Sequence, residues 1–190
     1  MDKNAAACPL HVEGVRQLAE YVIEMRNITK EFPGIKANDN VTLQLRRGEI
    51  LGFSGLMGAG RTETCRALFG ADPKESGDIW IDGKKVEINS PKDAVRLGLS
   101  YLSEDRKRFG LMLKKDIVEN STIATLHEYS SAGFIDKPGE KQAAQKYVDT
   151  LRTKTPTLEQ LVMDLSGGNQ QKVVIAKWLV NNSQIMIFDE

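Results

Sequence analysis

Cysteine, histidine and net charge are all scarce in this chain. Its 190 residues include two cysteines, Cys8 and Cys65, and two histidines, His11 and His127. Two cysteines are too few for a disulfide framework, and nothing in their placement suggests a metal site. A reducing compartment fits. Lys+Arg and Asp+Glu are both 26, so the formal net charge is +0. No bulk charge therefore draws the chain to nucleic acid or to a membrane surface. No apolar run approaches the ~20 residues of a spanning helix, so there is no direct membrane insertion and any membrane link must come through a partner. The first residues lack the continuous apolar stretch of a secretory signal. What remains is 41% hydrophobic and 27% charged, an ordinary mixture for a globular domain with a real core. There is no internal repeat and no low-complexity tract.

The chain is organised around one stretch, Glu49 to Thr62. The apolar run Ile50 to Phe53 reads as a buried strand. A glycine-rich loop follows, then a helical segment through Leu68. Strand, loop and helix form the context of a phosphate-binding loop of the pattern G-x-x-x-x-G-K-[ST]. Gly55, Leu56, Met57, Gly58, Ala59, Gly60, Arg61 and Thr62 fit it with one departure: Arg61 stands where lysine is required. The glycines let backbone N–H groups curl toward an anion, and the following helix adds its positive end. Thr62 would offer a hydroxyl to Mg²⁺. Arginine keeps the charge of lysine, but its planar fork is bulkier there. Nucleotide binding is therefore expected to survive better than hydrolysis. A glycine-rich turn without a ligand fits the same residues. Cys65 falls in the helix as a small buried hydrophobe.

Around this loop the chain alternates strands and helices, an α/β pattern. Residues 1–20 read as an extension or linker. Tyr21–Met25 and Val41–Leu45 alternate as strands, with Pro33-Gly34 as a turn between them. Phe32, just before that turn, could stack on a purine ring or simply pack the turn. Gly77 to Val86 reads as a hairpin with Asp82-Gly83 at its tip. Ser90 caps a short helix opened by Pro91. Leu99–Leu102 is a short strand ending in the charged loop Ser103 to Arg108, which a solvated surface turn would also explain. Asp116 with Glu119 starts a helix. Residues 140–153 form a helix with one apolar face, and 111–160 reads as mostly helical.

The sharpest pattern is Leu165-Ser166-Gly167-Gly168-Asn169-Gln170-Gln171. It stands before a helical run, Lys172 to Val180, which Ser166 can cap. The two glycines let backbone approach an anion closely. Ile185 to Phe188 then delivers Asp189 and Glu190 at the end of a buried strand, where ligands sit in open α/β sheets. Asp189 would hold Mg²⁺ and Glu190 would act as general base toward water.

In these three patterns, and in their order, residues 21–190 resemble the ATP-binding domains of ABC transporters. Gly55–Thr62 resembles the Walker A loop, Leu165–Gln171 the signature, and Ile185–Glu190 Walker B. The resemblance implies a P-loop NTPase core with an antiparallel β subdomain and a helical subdomain at about 111–175. It also implies ATP and Mg²⁺ as ligands. Phe32 falls where the family stacks adenine, Glu63 follows the loop threonine, and Glu104 falls where a glutamine is expected. The run LSGGNQQK and the loop 103–108 resemble the tandem ATPase subunits of bacterial ribose, galactose or xylose importers. Their C-terminal half has a degenerate ATP site, which Arg61 and Glu104 match. Residues 28–37 resemble the opposite, intact half, which implies a junction near Arg47–Ile50.

The same resemblance implies partners. A second ABC domain would close face to face over ATP. Leu165, Ser166, Gly167, Gly168 and Gln170 would then serve that partner's nucleotide. Permease subunits would hold the chain at the cytoplasmic face of the bacterial plasma membrane. The family continues past Walker B with a D-loop, a further strand and a switch histidine, so the domain is expected to be incomplete and inactive alone. That strand would lie between those of Walker A and Walker B. The competing expectation is a non-catalytic nucleotide-binding or interaction fragment. A DNA-repair ATPase is disfavoured by the short span from Thr62 to Ser166, which has no sustained heptads.

Overall fold

The computed structural model describes residues 20–56 and 58–189. The expectations for residues 1–19, Met57 and Glu190 lie outside the described residues.

Two long strands come first, β1 (Tyr21–Phe32) and β2 (Ile35–Arg46). They extend well beyond the alternating segments of the sequence and pair antiparallel across the Pro33-Gly34 turn. Asn27 and Asn40 sit at φ 54° and 55°. Asparagine tolerates that left-handed conformation, and the register between β1 and β2 shifts beside both residues. The hairpin β3 (Ser76–Ile81) and β4 (Lys84–Val86) joins as expected. Its tip, Asp82-Gly83, has φ of 47° and 72°, the doubly positive signature of a type I′ turn. The resulting sheet runs β2-β1-β3-β4. Ile23, Met25, Ile28 and Ile79 are fully buried beneath it. Each such burial contributes about 1.5–3 kcal/mol.

The helix α1 (Arg61–Leu68) follows the glycine-rich loop. Ser90 accepts from Asp93 N and caps α2 (Pro91–Arg96), which carries proline in its first turn. Strand β5 (Leu99–Leu102) pairs in parallel with β8 (Ile185–Phe188) as a two-stranded sheet. Their run-mate Ile50–Phe53 differs from expectation. It forms no strand, and Ile50 is 98% exposed. The physical reason is the lack of a ladder: no strand among the described residues pairs with it.

The helical part holds α3 (Ile117–Thr122), α4 (Lys137–Thr150) and α5 (Gly167–Val180). Asp116 Oδ1 accepts from Glu119 N at 2.8 Å and starts α3 as expected. Between α3 and α4 runs a 3₁₀ segment, Ile123–Tyr129, then a small hairpin, β6 (Ser130–Ser131) with β7 (Phe134–Ile135). That hairpin interrupts the mostly helical expectation. Ile117, Ala144, Val148, Val162 and Val173 form a separate core for the helices. Helix α5 belongs to both cores, giving Val173 to this one and Val174 and Trp178 to the other. Among the described residues no helix is long and apolar enough to cross a membrane.

Candidate functional site

The site is built from the two ends of the sequence patterns, brought together by α1 and β8. Gly60 is the N-cap of α1 at φ 81°. A Cβ there would lie 2.5 Å from the Ala37 carbonyl oxygen, so only glycine lets the loop lie this close to β2. Asn38 fastens the same contact by donating to Thr64 Oγ1. Thr64 Oγ1 in turn donates to Gly60 O at 2.8 Å. Gly58 has φ 80°, and Ala59 N donates to Leu56 O at 3.0 Å, which turns the loop back on itself. Arg61 is exposed at the first position of α1, its stem curled beside Gly55. Glu63 follows in the first helical turn, where a carboxylate suits the helix dipole.

Thr62 Oγ1 donates to Asp189 Oδ1 at 3.1 Å. Asp189 is carried there by β8, and its N–H donates to Leu102 O at 3.0 Å, extending the β5–β8 ladder by one residue. Its second oxygen, Oδ2, accepts from the Tyr101 hydroxyl at 2.6 Å. A hydroxyl and a carboxylate are hard oxygen donors, the chemistry that suits Mg²⁺ rather than a thiol- or imidazole-seeking metal. Burial, together with the Asp189 charge, pushes the Cys65 thiol up to about 11 and also raises the Tyr101 phenol above its ordinary range. Both stay protonated around neutral pH, so Tyr101 is a donor.

Glu104 reaches the same neighbourhood. With Arg106, Gln171, Phe188 and Asp189 it lines a small cavity of about 30 Å³, room for roughly one water. The charged loop is more ordered than a surface turn. Arg106–Gly110 winds as a π-helical turn, a form enriched at functional sites. Arg106 Nη2 occupies the space above Gly167, 2.9 Å from where a Cβ would stand. Gly110 packs on Val174, and its carbonyl accepts from Lys177 Nζ at 2.7 Å.

The signature segment is divided between surface and interior. Ser166, Gly167 and Gly168 are exposed at the start of α5, and Leu165 is half-buried. The helix begins at Gly167, five residues before the expected Lys172, and Ser166 holds the N-cap position without a side-chain cap bond. Gln170 points the other way. It is 4% exposed, and its Nε2 donates to Val162 O at 3.0 Å. Its amide therefore braces the turn Val162–Asp164 instead of facing outward with the serine and glycines. Asn169 similarly grips Lys154, accepting from its N–H and donating to its carbonyl, both at 3.1 Å.

Phe32 stands at the end of β1, with the Lys30 ammonium 4.7 Å from its ring centre. A wider cavity, about 830 Å³, is lined by neither the glycine-rich loop nor Asp189. It is a groove lined by Arg66, Phe69, Lys92, Arg96, Lys177 and Trp178 among others, and chemistry at Thr62 does not take place in it. The sequence reading missed Tyr101, Asn38 and Arg106.

A family description, ABC transporter, matches residues 38–190. The chain is 50% identical over 175 residues to the xylose import ATP-binding protein XylG of Thermoanaerobacter pseudethanolicus, covering 90% of this chain and 35% of that protein. It is 52% identical over 152 residues to a putative ribose/galactose/methyl galactoside import ATP-binding protein of Agrobacterium fabrum, covering 80% and 30%. The chain thus spans about a third of the length of these relatives. Its fold matches the dimeric structure of MJ0796, a bacterial ABC transporter cassette, with TM-score 0.75 at 24% identity over 88% of this chain and 73% of that one. A nucleotide-free ATP-binding cassette matches with TM-score 0.72 at 20% identity, over 90% and 69%.

Proposed function

Since the chain belongs to the ABC transporter family, we propose that it is the ATP-binding component of a sugar importer. It would couple ATP binding and hydrolysis to monosaccharide uptake through permease subunits at the cytoplasmic face of a bacterial membrane. The names of its relatives support this substrate class. Backbone N–H groups of Gly55 to Thr62 take the phosphates, with Arg61 supplying positive charge beside them. Thr62 and Asp189 hold Mg²⁺, which when bound neutralises charge on the phosphate oxygens. With its proton on Asp189 Oδ1, the Thr62 hydroxyl keeps its lone pairs for the cation. Glu104 stands beside that carboxylate, and Glu190 is the general base toward water.

Two departures make this a weak site for hydrolysis. Arg61 replaces a compact ammonium with a bulky fork, and Glu104 adds a negative charge where a neutral amide is usual. The exposed trio Ser166, Gly167 and Gly168 then serves the ATP of a second ABC domain. Their exposure at a helix start supports that role.

The observation that carries the reading is the Thr62–Asp189 hydrogen bond, which joins loop and acidic strand at one point. Thermal unfolding followed by circular dichroism, with and without Mg-ATP, tests it. ATP at about a hundred times its dissociation constant stabilises the native state by about 2.7 kcal/mol, a shift of several degrees at this size. A melt that ATP leaves unmoved would overturn nucleotide binding here.

One observation favours a second reading, a non-catalytic nucleotide-binding or interaction module. Among the described residues no strand pairs with the segment feeding the loop, Ile50–Phe53, to stiffen it. The expected result is ATP binding with turnover at background for the chain alone. Turnover above background would reject this second reading.

A further inference from the structure

The Lys30 side chain is 5% exposed, an unusual place for an ammonium. Glu75 keeps it there. The Glu75 N–H donates to Thr29 O at 3.0 Å, its Oε2 accepts from Glu31 N at 2.8 Å, and its Oε1 accepts from Lys30 Nζ at 3.3 Å. One glutamate thus grips three successive residues of β1. The nearby Asp72 is already engaged, bonded to Arg66 at 2.7 and 2.9 Å. Lys30 and Phe32 lie two residues apart on one face of the strand. The ammonium sits over the Phe32 ring, 4.7 Å from its centre, within the range of a cation–π contact. Phe32 still keeps 42% of its surface exposed. The hairpin also ties this ring to the glycine-rich loop. Lys30 pairs with Asn38 across β1 and β2, Asn38 donates to Thr64 in α1, and Gly60 lies against Ala37.

We propose that Lys30 is a positioning residue for the base of a bound nucleotide: held by Glu75, its ammonium fixes the plane of Phe32 so that the ring's other face stacks on a purine. The proposal rests on nucleotide binding at Gly55–Thr62 and on Phe32 as the ring that meets the base. A phenylalanine at a strand end, beside a turn, would otherwise give up its rotamer freedom only when the base arrives. With a cation seated behind it, the ring is already ordered in the empty protein. The ammonium also draws the negative density of the ring toward itself, which eases the face-to-face approach of an electron-rich purine from the opposite side. Because the ammonium is committed to Glu75 and to the ring, it adds no contact to the phosphates. Its effect therefore depends on the base, and a triphosphate without a base does not register it.

The test compares two probes by isothermal titration of the 190-residue chain: Mg-ATP, and Mg-tripolyphosphate, which has no base. The ratio of their dissociation constants reports the contribution of the base alone. Wild type, Phe32→Ala, Lys30→Met and Lys30→Arg are measured. Phe32→Ala is expected to reduce the preference for ATP by about tenfold. Lys30→Met is expected to reduce it by roughly threefold or more, with tripolyphosphate affinity unchanged. Arginine keeps the charge and stacks on rings, so Lys30→Arg is expected to restore the preference. Lys30→Gln retains a polar head toward Glu75 and gives the same reading if Lys30→Met shows no cooperative melt. Wild type that binds neither probe would remove the nucleotide site and this proposal with it. A preference that Phe32→Ala leaves intact would remove the stacking role of Phe32, and the proposal again with it. A preference lost in Phe32→Ala but kept without the Lys30 charge would overturn Lys30 alone. So would an equal loss of both probes, which would mark Lys30 as a support of the fold and not of the base.

Discussion

Lys177 sends its ammonium inward from α5 to the Gly110 carbonyl, 2.7 Å away. Burial lowers its pKa from 10.5 to about 8. Arg66, Lys92, Arg96, His127 and Tyr101 line the same groove, and no carboxylate among the described residues lines it. The sign follows from proton counting. Between about pH 8 and 10.5 the unfolded chain holds more protons at this position than the folded one, so stability rises with pH across that window. Below pH 8 both states are protonated and the cost of burial is present in full. The span is at most roughly 3 kcal/mol. Urea midpoints between pH 7.5 and 10.5 measure it, and Lys177→Met is expected to flatten the Lys177 contribution.

Gly58 and Gly60 separate backbone strain from steric clash. Both have φ near 80°, but a Cβ on Gly58 meets nothing within 4 Å, whereas one on Gly60 meets the Ala37 carbonyl. Gly58→Ala is expected to cost about 1–2 kcal/mol from the left-handed conformation alone. Gly60→Ala is expected to cost clearly more and to lower the melting temperature by several degrees further. Equal melts for the two variants would count against the close packing of loop on β2.

Asn120 is the hub of the turn before α3. Its Oδ1 accepts from Met112 N at 2.8 Å, and its Nδ2 donates to Met112 O at 3.0 Å and to Asp116 O at 2.8 Å. The residue is 2% exposed. Asn120→Ala leaves these backbone groups without the amide, at a cost of roughly 2–4 kcal/mol. Asn120→Asp keeps the acceptor but loses the donors, and it buries a charge among carbonyl oxygens. It is expected to be at least as damaging in chemical denaturation.

Roles at the nucleotide site divide if the exposed trio serves a partner. In a protein of the relatives' length carrying this domain, Ser166→Arg is expected to abolish ATP hydrolysis, whereas Glu190→Gln should change it little. The reverse ranking in a steady-state phosphate-release assay would refute this division.

Much of the fold could be read from local patterns. The Asp82-Gly83 tip, the Ser90 and Asp116 caps and the strands at 99–102 and 185–188 all follow from short-range chemistry. Three apolar runs looked alike in sequence: 50–53, 99–102 and 185–188. Two found each other, and the third stayed unpaired, because a buried strand is defined by its neighbours as much as by its residues. The β6–β7 hairpin was hidden for a different reason. Ala132 takes φ 50° at its tip, and alanine is a poor signal for that conformation. At the site, Thr62 and Asp189 were legible because each belongs to a spaced pattern. Tyr101 was not, because its partner is 88 residues away. Gln170 sits within the signature pattern, yet helix geometry turns it inward, which the order of residues does not reveal.

The unpaired run at Ile50–Phe53 makes this chain's free energy depend on its surroundings. Among the described residues no strand pairs with its backbone or with the edge of β8 away from β5, so a strand that adds there supplies partners to those groups. Leu51 and Phe53 are 43% and 45% exposed, so such an addition also withdraws apolar surface from solvent. By mass action, whatever supplies that strand raises the apparent stability in proportion to the logarithm of its concentration. A melting temperature of this protein is therefore a property of the solution as well as of the chain.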